Sequence, residues 1–446
     1  MMVRSFLVLA VATSLSIAGE NDWPQFRGHK GSGVSSSILV PTEWEPGKNV
    51  AWSITIPGGG YSSPVIWKDR LFLTTAVPDK AEGEAPRGMR AESVRYAIPD
   101  ITYDWRVLCL STKDGKLLWQ RSVKVGKASK GKHAKNSYAT ETPCTDGQRL
   151  YVYFSQVGLL AMDLDGHPLW QTNIGAFDTY LEYGTSSSPI TDGQRVYLQC
   201  DNQEKSFVAA YDAQTGKEVW RESREEITSW STPLLWESTT RTELVTVAPK
   251  KARSYDPATG MLLWELGGMS DYTVPIPVAD RQTCYISSGF LINPRNRPIF
   301  AVRAGASGDI TLTETLSSDS VAWRNPLGGP YIPSPILYHD RLFVVHDRPL
   351  FDSLSLTTGK PAYPRQRLPS GNFTASPVAY RGKILCLTEE GVGYVIDAGA
   401  SFRIESTNPA LDEDGLFLAT PALDADSLYL RGYRQLHCVR SSAQSP

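Results

Sequence analysis

The fold is decided by a ten-residue stretch, YDAQTGKEVW at residues 211–220. The stretch returns as YDPATGMLLW at residues 255–264 and, without the leading tyrosine, as STKDGKLLW at residues 111–119. In all three copies the glycine lies four positions after the first polar residue, and a tryptophan follows four positions later. A shorter copy ends at Trp170 and a faded one at Tyr363. This pattern predicts a tight turn that requires glycine, followed by a strand, in several successive repeats.

A second signal gives the number of repeats. A small residue followed by proline opens an apolar run at eight places in the chain. At the fifth of these places the sequence is instead Val-Pro-Ile-Pro, which ends at Pro277. Proline is tolerated at the first position of a strand, where its missing N–H is not needed. The spacing between most of these prolines is close to 44 residues, with longer intervals of 79 and 58 where insertions occur. The eight prolines are Pro64, Pro143, Pro189, Pro233, Pro277, Pro335, Pro377 and Pro421.

A repeat of this length built from four short strands is typical of a β-propeller blade. The last repeat ends after three strands, and the segment Asn49–Ile54, before the first repeat, supplies the missing one. Pairing the two ends would remove the open edges that an incomplete ring exposes. We therefore predict an all-β protein, an eight-bladed β-propeller of four-stranded antiparallel blades. A single domain spans residues 19–446, and its ring is closed by an N-terminal strand that completes the last blade.

The repeated tryptophans and glycines are interpreted as structural rather than functional. A tryptophan that recurs at a fixed offset indicates packing between neighbouring sheets, and the glycine is required by the turn. The residues assigned to this blade motif are Trp52, Trp119, Trp170, Trp220, Trp264, Gly216 and Gly260.

The N-terminus predicts export from the cytoplasm. Arg4 precedes an apolar stretch too short to span a bilayer, and small residues stand at Ser16 and Ala18, so residues 1–18 are typical of a signal peptide. The mature protein is then expected in the periplasm, at the cell surface or in the medium. The remaining chain has no apolar stretch long enough for a membrane span. Its 45 basic and 47 acidic residues argue against a nucleic-acid partner.

The repeats resemble those of the PQQ-binding-like β-propeller family. This family includes quinoprotein alcohol dehydrogenases and BamB, the outer-membrane protein assembly factor. The segment NDWPQFRG at residues 21–28, followed by GSGV at 31–34, resembles a secreted branch that is abundant in planctomycete-type bacteria. The resemblance covers nearly the whole mature chain and is specific for the fold. It is weak for function, because propellers carry many unrelated activities.

If the chain were a quinoprotein dehydrogenase, the resemblance implies that it would need a tryptophan stacked on the quinone, a disulfide between adjacent cysteines, a Ca²⁺ site and an aspartate base. The six cysteines are Cys109, Cys144, Cys200, Cys284, Cys386 and Cys438, and no two are adjacent. Each lies in an apolar run, which is typical of a buried thiol. The histidines show no metal-ligand spacing, so we predict no metal site. The sequence thus predicts no catalytic residues and no cofactor, with PQQ and Ca²⁺ as the alternative.

The loops before each first strand and between the second and third strands share one face of a propeller, where ligands usually bind. These loops carry aromatic and basic residues, a composition typical of binding surfaces. Ordinary solvated loop charge is the alternative interpretation of the basic residues. The insertion from Pro78 to Trp105 and the segment from Lys124 to Lys135 are expected to decorate the surface, with a lid over the funnel as the alternative for the first and a flexible basic loop as the alternative for the second. The candidates on the binding face are Tyr183, Trp230, Lys250, Arg295, Arg297, Tyr331, Arg348 and Arg434.

The function predicted from these features is that of an exported, non-catalytic binding or scaffold protein similar to BamB. We expect a monomer whose funnel face binds a protein or a polymer. A PQQ-dependent oxidoreductase is the alternative hypothesis from a different class.

Overall fold

The computed structural model describes residues 22–83, 86, 95–290, 293–412 and 415–441. The predicted signal peptide and the predicted start of the domain at residue 19 lie outside this part of the chain. Among the described residues, the search for a helix with the length and hydropathy of a membrane span finds none.

Eight sheets form the blades, which confirms the predicted all-β, eight-bladed propeller. Strand β1 (Val50–Thr55) comes first in the chain but belongs to the last blade. Blades 1 to 4 each contain four consecutive strands, ordered from the innermost to the outermost. These strands are β2 (Val65–Trp67), β3 (Arg70–Pro78), β4 (Thr102–Ser111), β5 (Leu117–Lys127), β6 (Cys144–Thr145), β7 (Arg149–Phe154), β8 (Gly158–Asp163), β9 (Pro168–Thr172), β10 (Ile190–Thr191), β11 (Arg195–Cys200), β12 (Phe207–Asp212), β13 (Glu218–Ser223), β14 (Leu234–Glu237), β15 (Thr242–Thr246), β16 (Lys251–Tyr255) and β17 (Leu262–Gly267).

The second half of the chain continues in the same order. Its strands are β18 (Val278–Ala279), β19 (Thr283–Ser287), β20 (Ile299–Arg303), β21 (Gly308–Asp309), β22 (Val321–Asn325), β23 (Ile336–Tyr338), β24 (Arg341–Val345), β25 (Leu350–Ser355), β26 (Gln366–Arg367), β27 (Val378–Tyr380), β28 (Lys383–Leu387), β29 (Gly393–Asp397), β30 (Ile404–Asn408), β31 (Ala422–Leu423), β32 (Ser427–Arg431) and β33 (Gln435–Arg440). Two short 3-10 turns lie at His29–Gly31 and Tyr180–Glu182.

The ring closes as predicted, because β1 pairs antiparallel with β33 and places Trp52 opposite Cys438. Blade 4 departs from the four-stranded prediction. Its outer strand β17 also pairs in parallel with β21, which lies in the insertion between β20 and β22 of blade 5. One of the two long intervals between prolines therefore adds a fifth strand to the preceding blade.

The proline signal marks the start of every innermost strand, and the turn chemistry explains the hairpin that follows. In blade 3, the Asp192 Oδ1 atom accepts hydrogen bonds from the backbone N–H groups of Gln194, at 2.8 Å, and Arg195, at 2.6 Å. Gly193, which directly follows Asp192 in this turn, adopts a φ of 84°. An aspartate that binds the backbone and a glycine in the left-handed region reverse the chain within a few residues.

The blades pack face to face, and their outer strands have the greatest contact with solvent. In β11 every residue from Val196 onward is buried, whereas β13 at the edge of the same sheet is mostly exposed. The apolar cores lie between successive sheets, as where Trp105 of blade 1 joins Leu150 of blade 2 in one cluster. Stability therefore comes from contacts between neighbouring blades, as in other radial repeat architectures.

The motif tryptophan of one blade lies on the motif glycine of the next. Trp170 covers Gly216, where an added methyl group would be 2.4 Å from the ring, and its Nε1–H donates to the Ala213 carbonyl oxygen at 3.1 Å. Trp264 differs, because β21 occupies the adjacent position and the Trp264 Nε1–H donates to Glu243 Oε2 at 2.6 Å within its own blade. The tryptophans that share the arrangement of Trp170 are Trp52, Trp119, Trp220 and Trp323.

The N-terminal segment crosses the central channel of the ring. Trp23 pairs with Ile66 on the inner edge of blade 1, and Val34 pairs in parallel with Ala379 on the inner edge of blade 7. Between these points Gly31 lies beside side chains of blades 4 and 5. Arg27, in the same segment, is fully buried, and burial lowers its pKa to about 9. This segment therefore closes the channel, a role that its sequence did not predict.

Candidate functional site

A cavity of about 350 Å³ lies on the axis of the ring. Its deepest tier is formed by the residue that directly precedes each of the eight prolines at the blade starts. The tier above is formed by the residue three positions before each of these prolines. Phe26 of the N-terminal segment also lines the cavity and contributes to its floor. The deeper tier consists of Ser63, Thr142, Ser188, Thr232, Ile276, Ser334, Ser376 and Thr420, and the upper tier of Tyr61, Thr140, Ser186, Trp230, Val274, Ile332, Thr374 and Leu418.

Hydroxyl groups in the deeper tier connect consecutive blades. The backbone N–H of Thr142 donates to Ser188 Oγ at 2.9 Å, and the N–H of Ser188 donates to Thr232 Oγ1 at 2.9 Å. The same bond joins Ser63 to Thr142, Ile276 to Ser334, Ser334 to Ser376 and Ser376 to Thr420. Each accepting hydroxyl also carries an O–H group that can donate, and that of Ser188 lies 3.4 Å from the Ser186 carbonyl oxygen. These bonds run from blade 1 to blade 4 and from blade 5 to blade 8, so most side chains of the tier are held in fixed positions, and we call this tier the hydroxyl ring of the cavity.

Aromatic side chains form a continuous arc around one side of the cavity. Trp230 and Tyr272 are stacked, with ring centroids 5.9 Å apart and an interplanar angle of 15°. The Trp230 Nε1–H donates to the Gly184 carbonyl oxygen at 2.8 Å, which holds the indole in place. The contacts continue at centroid distances of 4.0 to 6.5 Å, and the members of this aromatic arc are His133, Tyr180, Tyr183, Trp230, Tyr272, Phe290 and Tyr331.

A buried ion pair lies across from the arc. The Lys135 Nζ atom lies 2.6 Å from Glu389 Oε1 and 2.7 Å from Oε2, and the Thr374 hydroxyl donates to the same Oε1 at 2.6 Å. The Glu389 side chain is fully buried, and that of Lys135 is 13% exposed. Apart from the imidazole of His133, whose Nδ1 accepts from the Lys135 backbone N–H at 3.0 Å, Lys135 carries the only acidic or basic side chain among the described residues that line the cavity, and Glu389 neutralises it.

The two surface segments expected as decoration in fact contribute to the funnel. His133, Lys135 and Asn136 of the lysine-rich segment line the cavity, and so does Pro86 of the blade 1 insertion. Within this insertion, the Glu82 carboxylate accepts from the Tyr103 hydroxyl at 2.7 Å. To predict from the sequence that these segments join the funnel, one would need to know which acidic side chains the fold brings close to them.

Further attachments hold the two segments at the rim. Glu82 also accepts a hydrogen bond from the Tyr433 hydroxyl of blade 8, at 2.6 Å. Burial opposes ionisation of Glu82, but the charge of Lys132 and these hydrogen bonds outweigh it and lower its pKa. Glu182 accepts from Arg95 Nη2 at 3.1 Å and from the Gly131 N–H at 2.7 Å. The lysine-rich segment is thus fixed by partners from several parts of the ring.

The structure brings three of the predicted binding-face residues together and separates the other five. Tyr183, Trp230 and Tyr331 line the cavity. The guanidinium of Arg297 donates to Asp347 at 2.5 Å and to the Gly329 carbonyl oxygen at 2.9 Å, so it is part of a structural ion pair. The four remaining basic residues are exposed at positions that do not line the cavity, and they are Lys250, Arg295, Arg348 and Arg434.

Sequence reasoning missed most of the cavity wall, including Tyr180, Tyr272 and Phe290. Tyr272 had a usable signal, because it lies in the loop before Pro277, as Tyr183 lies before Pro189. Phe290 had none, because it follows β19 in an insertion that has no counterpart in the other repeats.

A second, much smaller cavity of about 20 Å³ lies beside the funnel wall, between blades 2 and 3. It contains Asp201, whose Oδ2 atom accepts from Gln199 Nε2 at 2.7 Å and whose Oδ1 atom lies 3.2 Å from Arg224 Nε. Both side chains of this ion pair are fully buried. Burial raises the pKa of Asp201 to about 6, against the opposing charge of Arg224.

The cofactor implied by the family is poorly matched to these residues. PQQ is a planar tricarboxylate, and buried carboxylates require cationic partners. The single cation of the described lining is already neutralised by Glu389. The six cysteines are buried in separate strands with free thiols, so they do not supply a disulfide. Within the described chain, no three acidic, histidine or cysteine side chains are grouped to hold a metal ion.

Comparison with known proteins relates the chain to two kinds of propeller. A family model described as outer membrane protein assembly factor BamB matches residues 82–229. A search of curated proteins finds no match. The crystal structure of BamB from Moraxella catarrhalis superposes with a TM-score of 0.56 and 11% identity, over 89% of this chain and 98% of that one.

Two further solved structures share the fold. Quinohemoprotein alcohol dehydrogenase from Comamonas testosteroni has a TM-score of 0.61 and 12% identity, over 96% of this chain and 82% of that one. The computationally designed Ika8 protein has a TM-score of 0.58 and 9% identity, over 88% of this chain and 99% of that one. At such identities structural likeness shows the fold alone. The solved structures thus show a propeller fold, and the family-model match over residues 82–229 supports the PQQ-like repeats that the sequence indicates.

Proposed function

On the premise of a PQQ-like repeat propeller, we propose that this protein is an exported, non-catalytic binding or scaffold module. The observation that carries the proposal is the axial cavity, whose wall of aromatic rings and hydroxyl groups is held by a rigid ring and whose floor is formed by the N-terminal segment. Concave sites of a few hundred Å³ with convergent polar groups are typical of ligand binding. The ligand is a small molecule or the end of a polymer or protein partner.

Two features support the proposed location of the protein. The predicted signal peptide supports export, and the matching family is described as an outer membrane protein assembly factor. We therefore propose an exported monomer, located in the periplasm, at the cell surface or in the medium.

Photo-crosslinking in the native envelope tests the proposal. A photoreactive phenylalanine analogue replaces Phe290 in the cavity wall or, as a matched control, Phe402, which is also half-buried but packs on Phe351 between outer parts of blades 6 and 7. We expect a defined adduct at position 290 that is lost when Trp230→Ala is added, and no such adduct at position 402. The absence of any adduct at position 290 would contradict the proposal.

A PQQ-dependent oxidoreductase is the second candidate function. It is favoured by the axial position of the cavity and by the fold shared with the quinohemoprotein alcohol dehydrogenase. Reconstitution of the purified protein with PQQ and Ca²⁺, followed by a dye-linked assay with primary alcohols and aldoses, separates the two candidates. Tight quinone binding with turnover would overturn the binding-module proposal, and a lack of both supports it.

A further inference from the structure

We infer that the ligand of the funnel is a neutral saccharide of one or two rings. The inference rests on the proposed function, since it requires that the funnel be a binding site, and it specifies what binds there. Three properties of the wall lead to it, namely the aromatic arc, the hydroxyl ring and the absence of an available charge among the described lining residues.

The aromatic arc provides flat apolar surfaces with fixed orientation. The stacked pair of Trp230 and Tyr272 is held by the hydrogen bond from Trp230 Nε1–H to Gly184, and Phe290 contacts Tyr272 at a centroid distance of 4.0 Å. The C–H faces of a pyranose ring are apolar and pack against such surfaces. Rings already held in place lose little conformational entropy when a ligand arrives.

The hydroxyl ring provides hydrogen bonds that match a polyol. Seven of the eight residues in the deeper tier are serine or threonine, and the bonds between blades fix their positions around the axis. A hydroxyl group both donates and accepts, as each sugar hydroxyl does. Polar groups that converge from all sides of a cavity select a ligand with hydroxyl groups around its whole edge.

The charge of the wall excludes strongly charged ligands. Lys135 is paired with both carboxylate oxygens of Glu389, and Glu389 is further bound by Thr374. An anionic ligand would have to compete with Glu389 for Lys135, and a cationic ligand would meet no carboxylate among the described lining residues. Burying an uncompensated charge is costly, so a neutral ligand is favoured.

The size and closed floor of the cavity limit the length of the ligand. The volume of about 350 Å³ lies at the lower end of the range for small-molecule sites. The N-terminal segment pairs with the inner strands of blades 1 and 7 and, between these two points, lies beside side chains of blades 4 and 5 on the opposite side of the ring, so an extended chain does not pass through the ring. A mono- or disaccharide, free or at the end of a glycan, fits these limits.

Calorimetric titration of the purified full-length mature protein tests the inference. The probes are glucose, maltose, cellobiose, lactose and N,N′-diacetylchitobiose as neutral saccharides, with glucuronate as a charged counterpart. We expect at least one neutral saccharide to bind, and glucuronate to bind at least about tenfold more weakly. Failure of all neutral probes, or a preference for glucuronate, overturns the inference.

Matched variants locate the binding site and guard against misfolding. Phe290→Ala and Trp230→Ala are expected to weaken saccharide binding about tenfold or more, the loss typical of an aromatic anchor. Phe402→Ala, outside the cavity, and Trp230→Phe, which keeps an aromatic face, are expected to retain binding. Thermal unfolding is recorded for every variant. Saccharide binding that persists in a folded Phe290→Ala and Trp230→Ala double variant contradicts the inference.

The two proposals fail in different ways. If the crosslink at position 290 forms but no neutral saccharide binds, the funnel is a binding site for another class of ligand, and only the saccharide inference is overturned. If neither a crosslink nor saccharide binding is detected, both are overturned.

Discussion

At the outer edge of the ring, one contact is repeated from blade to blade, whereas along the funnel wall neighbouring blades present different side chains. Trp52, Trp119, Trp170, Trp220 and Trp323 each lie on a glycine of the following blade. In the upper tier of the funnel, Ser186, Trp230 and Val274 occupy equivalent positions of three successive blades. The repeated contact builds the ring, and the departures from repetition create a cavity with one aromatic side and one polar side.

The largest expected effect concerns the outer edge. Gly216 and Gly382 both have positive φ values, of 68° and 73°, but only Gly216 lies under a tryptophan ring. Gly216→Ala is expected to lower the free energy of unfolding by about 3–4 kcal/mol, since backbone strain adds to overpacking against Trp170. Gly382→Ala is expected to cost about 1–2 kcal/mol through strain alone. Urea unfolding measures both, and equal losses would show that the Trp-on-Gly contact does not hold the blades together.

The second prediction contrasts the pH dependence of the two regions. Since the folded pKa of Asp201, beside the funnel wall, is raised to about 6, its contribution to stability is complete below about pH 4 and lost as the pH rises to about 6. Thermal melts of wild type and Asp201→Asn should therefore converge or cross as the pH rises through this window. The relative free energy of unfolding should change by about 2–3 kcal/mol.

Asp212 in the outer turn supplies the opposite case. Hydrogen bonds from Thr215 lower its pKa, so its contribution is present above about pH 4 and is lost as the pH falls. The difference between wild type and Asp212→Asn should therefore shrink on acidification. If both variants follow the same pH trend, the assignment of raised and lowered pKa values to the two regions is wrong.

A third prediction changes the charge of the funnel without changing its shape. Glu389→Gln leaves Lys135 without its countercharge and is expected to raise the affinity for PQQ, used here as an anionic probe, about tenfold, which corresponds to about 1.4 kcal/mol. Asp347→Asn removes the partner of Arg297, outside the cavity, and serves as the control. Fluorescence quenching measures both. An unchanged PQQ affinity in Glu389→Gln would contradict the view that the ion pair keeps the funnel neutral.

The smallest effects are expected for the basic loop residues that the sequence suggested as a binding face. Arg295→Ala and Arg348→Ala alter exposed side chains that do not line the cavity. They are expected to change unfolding free energy by less than about 0.5 kcal/mol and to leave the crosslink at position 290 intact. Loss of that crosslink in either variant would move the binding surface from the cavity to the outer loops.

Much of the ring could be predicted from the chain because its signals are local. Pro189 precedes an inner strand and Gly216 lies in a turn. Both signals are local, because the backbone conformations that proline and glycine allow affect only a few consecutive residues. The site could be predicted only in part. Trp230 and Tyr331 were found because they stand in loops before inner strands, whereas Lys135 was not connected with Glu389, which is 254 positions away in the chain. The fifth strand of blade 4 was missed for the same reason, since β21 belongs by sequence to the next repeat.

The sequence by itself determined the repeat, the number of blades and the strand that closes the ring. These features follow from backbone conformation and from apolar periodicity, which act between near neighbours in the chain. Only the tertiary structure decided which side chains meet at the axis, that the N-terminal segment closes the channel, and that a lysine-rich segment becomes part of a neutral wall. These features depend on contacts between distant residues, whose free energies arise only after the ring has brought them together.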